Sequence, residues 1–145
     1  MPTFVKSILI DAPVEDVFDF HEQDDALSLL TPAFPPVRVI RRTAGIQVGS
    51  RVELRVGLFP WVALHTAYQK NRLFVDEQIQ GPFARWVHRH EFEDVDGKTR
   101  LTDRVEYQLP GGSLINALFG WMVKPRLAKT FQHRHRVTRR MCEKA

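Results

Sequence analysis

The chain has 145 residues, of which 43% are hydrophobic and 26% charged, with a formal net charge of +4 at pH 7. That length suits one domain, residues 1–145, with a real core, and falls short of two. The longest apolar run, LINALFGWMV, is too short to span a bilayer; the lone Cys142 excludes an intrachain disulfide; and MPTFVKSILIDAP lacks the pattern of a signal peptide, so a cytoplasmic location is expected.

TFVKSILI, residues 3–10, alternates apolar and polar positions and reads as a strand. In DAPVEDVFDFHEQ, Asp11 suits a cap, Pro13 the first helical turn, and Glu15 and Asp16 the positive end of a helix dipole. Val14, Val17, Phe18 and His21 fall at helical spacing. DALSLLTP reads as a second short helix stopped by Pro32, and AFPPV as a rigid connector. Six strands follow, at roughly 37–43, 50–58, 61–70, 73–80, 85–94 and 99–108. In SRVELRVGL, Val52, Leu54, Val56 and Leu58 share one face and Arg51, Glu53 and Arg55 the other, the mark of a sheet with one wet side. After Pro110-Gly111-Gly112 the pattern is helical to the end, with Pro125 expected to break or kink it. Beyond Pro125, Leu127, Ala128, Phe131, His135 and Thr138 form an inner stripe. The order is one strand, two short helices, six strands and a long C-terminal helix. It gives a two-layer α+β domain in which an antiparallel sheet of about seven strands curves around that helix.

The segment WVHRHEFEDVDGKTRLTDRVEY, residues 86–107, carries the chemistry. Asp96-Gly97 is a strong signal for a two-residue hairpin turn. Counting outward, Phe92 faces Leu101, His90 faces Asp103, His88 faces Val105 and Trp86 faces Tyr107, all on one side. That side is mainly aromatic and aliphatic, and the opposite side is mainly charged. An imidazole beside a carboxylate holds its proton on one nitrogen and presents the other. Burying such groups costs several kcal/mol unless they are paired. Strand 73–80 is ambiguous: with Phe74, Asp76 and Gln78 inward, Asp76 joins the cluster, and with Val75 and Ile79 inward, Glu77 does.

DAPVEDVFDF, LTP at 30–32 and QGPFARWVHRHEFEDVDGKTRLTDRVEYQLPGG resemble the small bacterial ligand-binding members of the START and polyketide-cyclase/dehydrase superfamily, whose helix-grip fold is also that of the birch-pollen allergen. The similarity runs over nearly the whole chain. The resemblance implies a cavity between the sheet and the C-terminal helix that takes a hydrophobic small molecule, lipid- or polyketide-like, with the chain acting as carrier or sensor. Its expected lining is Trp86, His88, His90, Phe92, Asp103 and Tyr107, with Asp76 and the helix residue Phe131, and His90 with Asp103 orienting the ligand's polar end.

Two rival readings stand beside this one. A cyclase or dehydratase would use His90 with Asp103 as general base, with His88 or Asp76 in reserve. An interaction protein would act through the basic C-terminal segment, residues 124–145, touching a membrane surface or RNA. No DNA-binding role, cofactor or metal is expected. The sequence lacks a dinucleotide or phosphate-loop fingerprint and a nucleophile elbow, and no cysteine or histidine-rich motif supports His88 and His90 as metal ligands. His133 and His135, two apart on a helix, are not expected to chelate together. Aromatics in GLFPW (57–61) and GPF (81–83) fall at hairpin tips, open either to a cavity mouth and partner or to folding back over the core.

Overall fold

The structure, a computed structural model, describes residues 2–32, 36–43 and 45–143. Most of the AFPPV connector (33–35) and Lys144 lie outside them. Strand β1 (Thr3–Ile10) leads to helices α1 (Val14–Glu22) and α2 (Ala26–Leu30). A meander follows: β2 (Val37–Arg42), β3 (Arg51–Val56), β4 (Phe59–Gln69), β5 (Leu73–Gln80), β6 (Arg85–Val95) and β7 (Lys98–Gln108). The chain ends in α3 (Gly112–Phe119), a 3-10 turn at Gly120–Met122, and α4 (Val123–Cys142). All pairings are antiparallel, in the order β1-β7-β6-β5-β4-β3-β2. Among the described residues, no helix is long and apolar enough to cross a membrane.

The β6–β7 hairpin has the register that the Asp-Gly turn dictates, with His90 opposite Asp103 and Trp86 opposite Tyr107. Asp96 and Gly97 both take positive φ, 53° and 85°, as a primed turn requires. A Cβ at Gly97 meets nothing within 4 Å, so the cost of a side chain there is purely conformational. Gly97→Ala should therefore lower stability by about 1 kcal/mol, read by chemical denaturation, with the fold unchanged.

Two apolar clusters flank a polar band on the covered face. One gathers Ile10, Val17, Phe18, Phe74, Phe92 and Leu101, with Phe18 edge-on to Phe92 at 4.9 Å between ring centroids. The other gathers Val105, Tyr107, Leu127 and Phe131. Along β7 the inward sequence is Leu101, Asp103, Val105, Tyr107, and along β6 it is Phe92, His90, His88, Trp86. The polar band therefore lies midway along the hairpin, with apolar packing at both ends to keep out water.

Several local expectations change. Pro13, not Asp11, occupies the position before α1, and Asp11 gives its backbone N–H to Glu143 Oε2 at 2.8 Å. The C-terminal helix breaks at the 3-10 turn, so Pro125 falls in the first turn of α4, where a missing N–H costs nothing. Ala128 is exposed, and Val137 takes its place among the buried residues of α4. Strand β3 ends at Val56, which leaves Leu58 in the turn, 90% exposed, instead of on the covered face. Phe83 folds back against Trp86 and Trp61, while Phe59 stays exposed.

Candidate functional site

The β5 ambiguity resolves with Phe74 and Asp76 inward: Asp76 pairs in register with His88, and Phe74 with His90. The rings of Phe74, His90 and His88 stack in series, with centroids 3.8 and 3.6 Å apart. Asp103 lies behind them. It accepts a hydrogen bond from His88 Nε2 at 2.7 Å on one oxygen and from His135 Nε2 of α4 at 2.6 Å on the other. His90 sits opposite Asp103, but its Nε2 donates to Asp76 Oδ2 at 2.8 Å, while its Nδ1 lies 3.3 Å from Asp103 without hydrogen-bond alignment. The pair expected between His90 and Asp103 is thus a network: Asp76, His90, Asp103, His88 and His135.

Burial alone would lower the His90 pKa, but the carboxylates of Asp103 and Asp76 outweigh it and hold the imidazole above its ordinary value. Burial and the neighbouring His90 push His88 down to about 4. Burial would raise both carboxyls, yet their histidine partners keep Asp76 and Asp103 well below the usual range. At neutral pH the band therefore holds two carboxylates, a His90 whose protonated form they favour, and a neutral His88. Burial also pushes the Cys142 thiol up to about 11, which suits packing and not nucleophilic attack.

Beside this band lies a cavity of about 280 Å³. Its walls are mostly apolar, from Leu27 and Leu30 of α2, Val52, Leu54 and Val56 of β3, Trp61 and Ala63 of β4, and Trp86 of β6. Asp76, His88 and His90 face it as well. Of the expected lining, Phe92, Asp103, Tyr107 and Phe131 are displaced. Phe92 is packed against Phe18 and Phe74; Asp103 is shielded by the stacked histidines; Tyr107 and Phe131 fill the second apolar cluster, where Tyr107 O–H donates to Gly120 O at 3.5 Å. Helix α4 contributes only Thr130 and Arg134, because its apolar stripe closes on Val105 and Tyr107 of β7 and on Phe4 of β1. The space opens instead toward β3, β4 and the α1–α2 helices.

The sequence reading did not place His21, His65 or His135 in the site. His65 shares strand parity with Trp61 and Ala63, and all three border the cavity. His21 and His135 lie on the inner stripes of their helices, but helix phase against a sheet has no sequence signal. His21 Nδ1 donates to Val17 O at 2.8 Å and His65 Nδ1 to Ser50 O at 3.2 Å. Burial pushes His21 down to about 3 and lowers His65 too. Both rings are therefore neutral, with Nε2 left as an acceptor. His88 is the mirror case, with Nε2 spent on Asp103 and Nδ1 left over.

Asp76, His88 and His90 have ligand atoms within 4.8 Å of one another, close enough to raise the question of a metal. The two imidazoles are stacked with only 29° between their planes, so an ion in the plane of one lies well outside the plane of the other. Their present geometry fits hydrogen bonding better than chelation.

A curved antiparallel sheet, two short helices across it and a long C-terminal helix beside a cavity define the helix-grip class of α+β proteins. Residues 10–136 match the family described as polyketide cyclase/dehydrase and lipid transport, and the chain belongs to that family. Among solved structures it is similar to a nucleoside-diphosphate sugar epimerase from Corynebacterium glutamicum, at 26% identity and a TM-score of 0.74 over 94% of this chain but only 28% of the epimerase. It is also similar to a START superfamily protein from Mycobacterium smegmatis, at 16% identity and a TM-score of 0.68 over 97% of this chain and 96% of that one. The di-domain aromatase/cyclase BexL of the BE-7585A biosynthetic pathway matches at 18% identity and a TM-score of 0.73, over 99% of this chain and 50% of that one. A search of curated proteins found no match.

Proposed function

We propose that the chain binds a small, mainly apolar molecule in the cavity and recognises it through hydrogen-bond donors on the ligand. The observation that carries this reading is the set of three neutral imidazoles on the cavity wall, His21, His65 and His88, each with one ring nitrogen left as an acceptor. Asp76 adds a carboxylate, partly open to the same space. An apolar wall with several acceptors fits a ligand that is flat and hydroxylated, such as a phenolic polycycle, better than a plain acyl chain. A ligand without hydroxyls would leave these nitrogens dry and unpaired, and specificity follows from that penalty. Membership of a polyketide cyclase and lipid transport family supports the choice.

A binding role is favoured over general-base catalysis by the charge states. His90, the expected base, spends Nε2 on Asp76 and turns Nδ1 toward Asp103, two carboxylates that favour its protonated form, and burial pushes His88 down to about 4, too low to take a proton readily at neutral pH.

The test uses a matched pair of probes, 1-naphthol and 1-methoxynaphthalene, with binding read from the fluorescence of Trp61 and Trp86 in the cavity wall. His65→Phe should weaken the naphthol by about threefold to tenfold, the worth of one hydrogen bond, and leave the methyl ether unchanged or tighter. Equal losses for both probes would refute recognition by donor groups.

A further inference from the structure

Between Tyr107 and Cys142 the chain contains seven Lys or Arg residues and no Asp or Glu. Helix α3 lies in this stretch and buries none of its side chains. Leu114 and Leu118, one turn apart, are 68% and 53% exposed, and Trp121 follows at 68%. Phe119 and Met122 are exposed beside them. Polar groups hold the helix to the body: Asn116 Oδ1 accepts the Leu109 N–H at 2.8 Å, and its Nδ2 donates to Leu109 O at 2.9 Å and to Gly112 O at 2.8 Å. Trp121 Nε1 donates to Leu118 O at 2.7 Å, so the ring has no polar need left and offers a bare apolar face. A cluster of five large apolar side chains presented to water marks a contact surface.

The meander fixes where this surface sits. Strands β3, β5 and β7 all end at the same edge of the fold, so α3 shares that end with the β3–β4 turn, where Leu58 and Phe59 are exposed. Val56 and Trp61, which flank that turn, border the cavity.

We propose that this end of the molecule docks on an anionic phospholipid surface. Helix α3 lies in the interfacial plane with Leu114, Leu118 and Trp121 among the acyl chains, and the exposed Lys124, Arg126 and Lys129 at the start of α4 reach the headgroup phosphates. Charge selects this occupant. A second copy of the chain would set Lys124, Arg126 and Lys129 against the same three cations, which opposes association. An RNA would use the charges and stack a base on Trp121, but leave Leu114, Leu118 and Met122 in water. An anionic bilayer satisfies both halves of the surface. This proposal stands whether or not the cavity takes a hydroxylated ligand.

Co-sedimentation with large unilamellar vesicles tests it, comparing phosphatidylcholine–phosphatidylglycerol mixtures with pure phosphatidylcholine. Binding is expected only to the mixed vesicles and should weaken as salt rises. Leu118→Ser and Trp121→Ser remove exposed side chains and should leave the thermal melt unchanged while each reduces partitioning by about tenfold. Lys129→Ala should reduce it by about fivefold. No binding to mixed vesicles at low salt overturns the proposal. So does binding that ignores Leu118→Ser and Trp121→Ser, which would reduce the contact to charge alone. A dimer in sedimentation velocity that Trp121→Ser dissociates would also overturn it, by showing a second copy on this face.

Discussion

Asp103→Asn should lower the stability of the fold by about 3–5 kcal/mol, the largest effect expected from any near-isosteric change in the site. Asp103 is almost fully buried and takes N–H donors on both oxygens, from His88 and from His135. It also faces the His90 ring at 3.3 Å and favours its protonated form. An asparagine there can accept on one side only. Its amide would point N–H at the N–H of His88 or of His135, and His90 would lose one of its two counter-charges. The loss also weakens the polar link that His135 makes between α4 and β7, leaving the apolar contacts of Leu127 and Phe131 to hold the helix. Equilibrium denaturation of wild type and variant measures it. A change within about 0.5 kcal/mol, the range of an ordinary surface substitution, would show that the network carries no structural weight.

Acid should unfold the protein through its histidines before its carboxylates titrate. In the unfolded chain every histidine protonates near pH 6.5. In the folded chain His21 resists protonation down to about pH 3 and His88 down to about pH 4. Between pH 6.5 and 4 the unfolded state thus binds more protons than the folded state. Stability falls by about 1.4 kcal/mol per pH unit for each such group. His65, also lowered, adds to the fall. His90 has the opposite sign. Its raised pKa contributes stability that is complete below pH 6.5 and disappears as pH rises through its folded value, so it adds no slope in the acid window. The depressed carboxylates of Asp76 and Asp103 extend the loss below pH 4. Thermal melts should show no loss from pH 8 to 6.5 and a steady decline from pH 6.5 to 4. His21→Phe should flatten it. A flat profile to pH 4 would contradict the burial of neutral imidazoles.

How much of this was legible in the sequence depended on distance along the chain. The β6–β7 register was legible because a two-residue turn propagates by simple counting, and it placed His88, His90 and Asp103 on one covered face. The order of strands and helices was legible from periodicity. The pairing of side chains was not: register puts His90 opposite Asp103, yet ring rotation sends His90 to Asp76 and His88 to Asp103. Strand β5 was opaque because either parity brings a carboxylate inward, and only its contacts with β6 decide. His135 was visible as a stripe residue of α4, but its meeting with Asp103 depends on how a helix rotates against a sheet 32 positions away in sequence. The break between α3 and α4 had no clear signal, because Gly120, where the 3-10 turn begins, lies inside a continuous apolar helical pattern, while Pro125 carries the stronger breaking signal and is tolerated in a first turn. The expected lining failed where large aromatics, Phe92, Tyr107 and Phe131, found enough neighbours to complete a core instead of a cavity.

Native mass spectrometry of the protein mixed with hydroxylated bicyclic to tetracyclic aromatics, each paired with its methyl ether, tests the proposed binding function most directly. A cavity lined by Trp61, Trp86, His65 and His88 should yield one-to-one adducts with the hydroxylated members, and the ethers should compete poorly. One-to-one adducts of equal strength with the ethers, or none with any member of the series, would contradict a site built to receive hydrogen-bond donors in an apolar space.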